Sequence, residues 1–213
     1  MTKKRKVISV LTMLLIGFGI MFMSSCKGDP VAPRSTTYNL KVTDVLGVSG
    51  SVTFVETSVT VATINITLVG SPAGTHPALL CNNSAIEGGK VELTLNPVDA
   101  TGKSTTVVST MTYSQLIAFN GFIKVKSDKD GDNILAQGDI GGNEISKISK
   151  SFQLSTMGNY GVSGNALFEK RVNGNTLLTV TLTGTIVGDI YPGTINLGSI
   201  ASVGGGPKVA TLQ

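Results

Sequence analysis

Apolar and polar residues alternate one by one through several short stretches of this 213-residue chain. Ser51-Val-Thr-Phe-Val-Glu56, Thr63-Ile-Asn-Ile-Thr-Leu-Val69 and Lys90-Val-Glu-Leu-Thr-Leu95 each put apolar side chains on one face and mostly polar ones on the other. A period of two in residues that favour extended backbone predicts strands with one face in a core and one in water. Clusters of Gly, Asn and Pro between them predict turns. Phe122 to Lys126 and Ile134 to Ile140 flank the turn-like stretch from Ser127 to Asn133 and predict a hairpin. Only Tyr113-Ser-Gln-Leu-Ile-Ala-Phe119 predicts a helical turn, in which Leu116, Ile117 and Phe119 cap the core and Gly121 ends it. Many short strands at this spacing predict an all-β fold, an antiparallel Ig-like sandwich or barrel.

The pattern also repeats. At an offset of 114, Tyr38-Asn39-Leu40 returns as Phe152-Gln153-Leu154, and Gly47-Val48-Ser49-Gly50 returns unchanged as Gly161-Val162-Ser163-Gly164. Phe54 matches Phe168, Thr67-Leu68-x-Gly70 matches Thr181-Leu182-x-Gly184, and Gly74 matches Gly188; with small insertions Pro77 meets Pro192 and Lys90-Val91 meets Lys208-Val209. Glycines held in register over such a span point to duplication. The second copy is truncated, because nothing in it corresponds to Asn96 through Asn143. Its unpaired sheet edge must lean on the first copy, lean on another molecule or stay partly disordered. The expected organisation is a leader over 1–25, a lipidated cysteine and linker over 26–37, a first unit over 38–151 and a partial second unit over 152–213.

Charge changes the picture at the start of the chain. The net +4 comes entirely from Lys3, Lys4, Arg5 and Lys6, which precede a mostly apolar run from Val7 to Met23. The remainder is balanced, so it lacks the positive field that gathers phosphates, and nucleic acid is not an expected partner. A basic segment followed by a short apolar one predicts a secretory signal peptide. Met23-Ser24-Ser25-Cys26 resembles the bacterial lipobox, which implies lipidation at Cys26 and a membrane-anchored protein in the cell envelope, facing the periplasm or the outer surface. Lys27-Gly-Asp-Pro-Val-Ala-Pro-Arg-Ser-Thr-Thr37 reads as a spacer from the lipid. With Cys26 consumed, Cys81 has no partner for an intramolecular bridge.

Candidate chemistry is sparse. Asp128, Asp130, Asp132 and Asp139 fall at positions 1, 3, 5 and 12 of a calcium-loop spacing, where hard oxygen ligands converge on one ion. Gly131 sits two places early, Asn133 takes the sharp-turn position, and Asp139 replaces a bidentate Glu, so a solvated hairpin tip is the stronger expectation. Calcium is the one cofactor the pattern allows. His76 and Cys81 are weak metal candidates: two ligands are too few for a structural zinc site, and a surface-loop histidine with a packed thiol is the plainer expectation. The single histidine has no acidic neighbour in sequence, and no GxSxG, P-loop or CxxC occurs. No catalytic residues are assigned, and the chain is not expected to be an enzyme.

Several of these runs together carry a family likeness. His76-Pro-Ala-Leu-Leu-Cys81, Glu87-Gly-Gly-Lys-Val91, Leu95-Asn-Pro-Val-Asp99, the stretch from Tyr113 to Lys126, and Ala136-Gln-Gly-Asp-Ile-Gly141 resemble the chordin-type (CHRD) domain, found in the antagonist chordin and in many bacterial exported proteins. The resemblance covers the first unit and the opening half of a second. It implies a β-rich extracellular module with no established catalytic activity. Bacterial members typically read HPAHIH and VNVH where this chain has His76 to Cys81 and Ile123-Lys-Val-Lys126, so three of four histidines are replaced. The second copy, Tyr191-Pro-Gly-Thr-Ile-Asn196, has none. Alternating imidazoles would face one side of a strand as a transition metal needs; Leu79, Cys81 and Lys126 break that set, which predicts a metal-free site. The expected function is a non-enzymatic, membrane-anchored module binding a protein, glycan or matrix partner. The alternative is a metal-dependent oxidoreductase of the superoxide-dismutase kind.

Overall fold

Thirteen strands and one short helix follow one another along the computed structural model, which describes residues 32–128, 131–200 and 206–212. The strands are β1 Ser35–Val42, β2 Ser49–Glu56, β3 Ala62–Val69, β4 His76–Asn82, β5 Val91–Val98 and β6 Lys103–Val108. Helix α1, Tyr113–Ala118, precedes β7 Asn120–Lys126, β8 Ile134–Gly141 and β9 Ile145–Leu154. The last strands are β10 Ser163–Arg171, β11 Thr176–Thr183, β12 Thr194–Asn196 and β13 Lys208–Thr211. All pairing is antiparallel: eight strands run in the order β5-β4-β7-β8-β1-β2-β3-β6, three as β11-β10-β9, and two as β12-β13. The predicted all-β class is the observed one.

The eight-stranded sheet is a nearly closed barrel. β1 belongs to both halves, pairing β2 from Ser35 to Leu40 and then β8 through Lys41 and Val42. On the far side, Asn96 of β5 closes the gap to β6: its backbone N–H donates to Thr106 Oγ1 (2.8 Å), and its side-chain amide donates to the Thr105 carbonyl (2.7 Å). Closure buries the alternate residues that the sequence pattern marks as apolar. Ala62, Ile64, Ile66 and Leu68 of β3 face inward with Tyr38, Leu40, Val52 and Phe54, opposite Leu80, Leu95, Ile123, Val125, Leu135 and Ile140. The helix covers one end with Tyr113 and Leu116. Its N-terminus is a capping box, with Gln115 N–H donating to Thr112 Oγ1 and Thr112 N–H to Gln115 Oε1. It ends where Phe119 turns extended, two residues before Gly121.

The repeat recurs in three dimensions. β10 and β11 are β2 and β3 displaced by 114 positions, and the cross-strand rows Tyr38–Val52–Ile66 and Leu40–Gly50–Leu68 return as Phe152–Ala166–Val180 and Leu154–Gly164–Leu182. The ring pair Tyr38–Phe54 (5.5 Å) reappears as Phe152–Phe168 (5.6 Å). Gly50 and Gly164 do the same work: a side chain on either would collide with a carbonyl oxygen of the next strand, that of Thr67 or Thr181. Gly70 and Gly184 both adopt positive φ (73° and 78°), against the carbonyl of Gly47 or Gly161. The position Ser151/Phe152, the expected start of the second unit, lies inside β9.

Candidate functional site

The second copy docks onto the first through the tip of the β10–β11 hairpin. Arg171 is buried, and its Nη1 donates to Asp139 Oδ2 (2.9 Å) and to the Asn143 carbonyl (2.8 Å). Asp139 Oδ1 also accepts from Ala85 N–H (2.7 Å), so both carboxylate oxygens are engaged. Around this pair, Val172 N–H donates to the Glu144 carbonyl and Asn173 N–H to the Gly142 carbonyl. The Asn173 amide reaches Asn143 Oδ1 (3.0 Å) and Asn120 Oδ1 (3.2 Å), while the Asn143 amide reaches the Asn83 carbonyl (2.6 Å). Among the described residues no buried side-chain polar atom lacks a partner. A buried charge is tolerated only under such full satisfaction.

Beside this joint lies a cleft of about 510 Å³. Lys41 and Gln137, neighbours across β1 and β8, form one wall with Glu144; Ile86, Ile145 and Leu177 supply the apolar lining. The lining mixes charged and amide side chains with these apolar ones, and Asp139 and Arg171 of the joint form part of it.

The acidic set is not brought together as one loop. Ile134 pairs with Lys126 next to the hairpin turn, whereas Asp139 pairs with Phe122, five residues further along β8, roughly 16 Å away at strand rise. Asp139 is spoken for by Arg171 and Ala85. Asp128 stays at the tip, accepting from Ser127 Oγ and the Gly131 N–H, a pattern of local turn bonds. Asp132 lies in the same turn, and Asp130 falls outside the described residues, as do Cys26 and the whole leader.

His76 departs from the expected surface loop. It opens β4 and is 3% exposed, with Nδ1 2.7 Å from the Ser127 carbonyl and Nε2 3.0 Å from the Pro72 carbonyl. The ring thus lies between the loop before β4 and the end of β7, with both nitrogens facing backbone carbonyls and away from solvent. Cys81 is the packed thiol expected, at 1% exposure, and burial pushes its pKa up despite nearby Lys124. Its Cα pairs with Phe122 at the other end of β4 from His76, which pairs with Val98. Among the described residues no three His, Cys, Asp or Glu side chains converge as metal ligands, and no helix is long and apolar enough to cross a membrane. The sequence pattern does not reveal the Arg171–Asp139 joint; the one signal near it is the charged run Glu169-Lys-Arg171 that ends β10.

Compared with protein families and with curated proteins, the chain matches none.

Proposed function

We propose that this chain is a non-catalytic CHRD-like module, held to the bacterial envelope by lipid on Cys26, that binds a glycan or protein partner outside the cytoplasm. The cleft lined by Lys41, Gln137, Glu144, Ile86 and Leu177 is the observation that carries the reading. It offers a donor, a carboxylate, an amide and apolar contacts, with Lys41, Gln137 and Leu177 on strands and Ile86 and Glu144 in turns. The groups that acid–base or metal chemistry would draw on are instead occupied structurally: His76 by two carbonyls, Asp139 by Arg171, Cys81 by burial.

A glycan array probed with the full chain and with Lys41→Ala/Gln137→Ala tests the cleft. Specific binding that the double variant loses supports the proposal, and absence of any binding, or binding indifferent to both substitutions, removes the cleft from it. Intact mass of the membrane-extracted protein tests the anchor: a diacylated chain beginning at Cys26 is expected, and retention of Met1 without acyl mass overturns it. Superoxide dismutation dependent on copper or zinc and abolished by His76→Ala would replace the proposal with the oxidoreductase alternative.

A further inference from the structure

The chain has two Asn-Gly steps, Asn120-Gly121 and Asn173-Gly174, and the fold brings them together at the joint between the copies, where the Asn173 amide donates to Asn120 Oδ1 (3.2 Å). Asparagine before glycine is prone to close a ring on its own backbone, because a residue without Cβ leaves its main-chain nitrogen unshielded and free to rotate. The two steps are held differently.

Gly121 is locked in the sheet. It is buried between Asn82 of β4 and Ile140 of β8, its N–H donates to the Phe119 carbonyl, and a Cβ on it would strike the Cys81 carbonyl. The main chain cannot rotate there without breaking its strand pairing. Asn173 and Gly174, in contrast, are exposed in the β10–β11 turn, Gly174 has a φ of 89°, and a Cβ on it would meet nothing. The Asn173 side chain is curled back over this step, because its Oδ1 accepts from Asn175 N–H (2.9 Å). That bond closes a ring containing the Gly174 nitrogen and polarises the amide carbonyl that a nucleophile would attack. The Gly174 N–H donates to the Arg171 carbonyl (3.1 Å), a single turn bond at an exposed tip, where local opening is easiest.

We propose that Asn173 is a site of spontaneous deamidation, and that its conversion loosens the fastening between the copies. The Gly174 main-chain nitrogen bonds to Asn173 Cγ, the Cγ–Nδ2 bond breaks, and ammonia leaves carrying the Gly174 proton. Water then opens the five-membered imide, giving aspartate when it adds at Cγ and isoaspartate when it adds at the main-chain carbonyl. Either product lacks the N–H groups that reach Asn143 Oδ1 (3.0 Å) and Asn120 Oδ1, and sets a carboxylate against those oxygens. Isoaspartate also adds a methylene to the main chain inside the turn that seats the Arg171 guanidinium.

The full chain, incubated in mildly alkaline buffer and then digested, should show aspartate and isoaspartate accumulating at residue 173 while Asn120 stays intact. In guanidinium chloride, where the fold no longer separates them, both steps should convert at similar rates. Hydrogen exchange reads the consequence. The main-chain N–H groups of Val172 and residue 173, which donate to the Glu144 and Gly142 carbonyls, should exchange roughly tenfold faster in the converted chain, for the loss of two ordinary hydrogen bonds. The equivalent β2–β3 turn, with Val59 free at its tip, should exchange as before. Asn173→Asp, measured without incubation, should reproduce the faster exchange. Conversion of Asn120 as fast as Asn173 in the folded chain, an Asn173 that converts only in guanidinium chloride, or a converted chain whose joint exchanges like the fresh one would overturn the proposal.

Discussion

Replacing Arg171 with methionine keeps the aliphatic stem and removes the charge that joins the two copies. Two charge-assisted hydrogen bonds disappear, to Asp139 Oδ2 and to the Asn143 carbonyl. Each is worth about 1.5–3 kcal/mol where the donor is buried, and the Arg171 side chain is 6% exposed. The Asp139 carboxylate, 19% exposed, keeps the Ala85 N–H but loses its counter-charge, and orphaning a buried charge costs about 3–5 kcal/mol. The two figures describe one loss, so the expected destabilisation is about 3–4 kcal/mol, or roughly 6–16 °C in Tm for a unit of this size. Asp139→Asn added to Arg171→Met retains an acceptor for Ala85 N–H and removes the stranded charge. The double variant should therefore be more stable than Arg171→Met alone, recovering about 1–2 kcal/mol. Urea unfolding of the single and double variants measures both quantities. A cost under about 1 kcal/mol for Arg171→Met, or a double variant less stable than the single by the full cost of Asp139→Asn alone, would refute the view that this pair fastens the second sheet.

Gly50→Ala should cost about 1–3 kcal/mol, because a methyl there drives into the Thr67 carbonyl inside the closed barrel, while Gly164→Ala should cost less, since the open sheet can splay; urea midpoints compare them, and equal costs would deny any role to enclosure. Burial raises the pKa values of both the Cys81 thiol and the Tyr38 hydroxyl, so the folded chain holds protons that the unfolded chain releases. Stability from these groups is intact below roughly pH 8.5 and falls as pH climbs through their folded values; Cys81→Ala should flatten that fall in melts between pH 8 and 10.5. With Asp139 held by Arg171, melting in millimolar calcium and in EDTA should coincide, and a calcium-dependent rise abolished by Asp130→Ala/Asp132→Ala would restore the hairpin as a cation site.

Local pattern made the strands legible. Period-two alternation in Thr63–Val69 needs only the choice of face, and that choice was visible because Ile64, Ile66 and Leu68 share it. Glycines were legible for a different reason: Gly50 and Gly164 sit where backbones approach, so they return in register in the second copy. His76 was misread because a histidine flanked by Thr75 and Pro77 has the composition of a loop. Its burial depends on the carbonyl of Ser127, 51 residues away. Likewise nothing near Phe152 says that it is half exposed while Tyr38 is buried; the difference lies in strands that enclose one and not the other.

The two copies differ most where they touch. At the offset of 114, Arg171 corresponds to Thr57 and Asn173 to Val59, and Val59 is 86% exposed at a free hairpin tip. The strands leading to that tip keep their pairing rows, their aromatic pair and their glycines. A tip that merely turned the chain would need neither a guanidinium nor a second amide. Here the Arg171 guanidinium fills the acceptor positions of Asp139 and Asn143, and the Asn173 amide those of Asn143 and Asn120, all on the first copy. The second sheet is therefore fastened to the first by the chemistry of its turn, through Arg171 and Asn173.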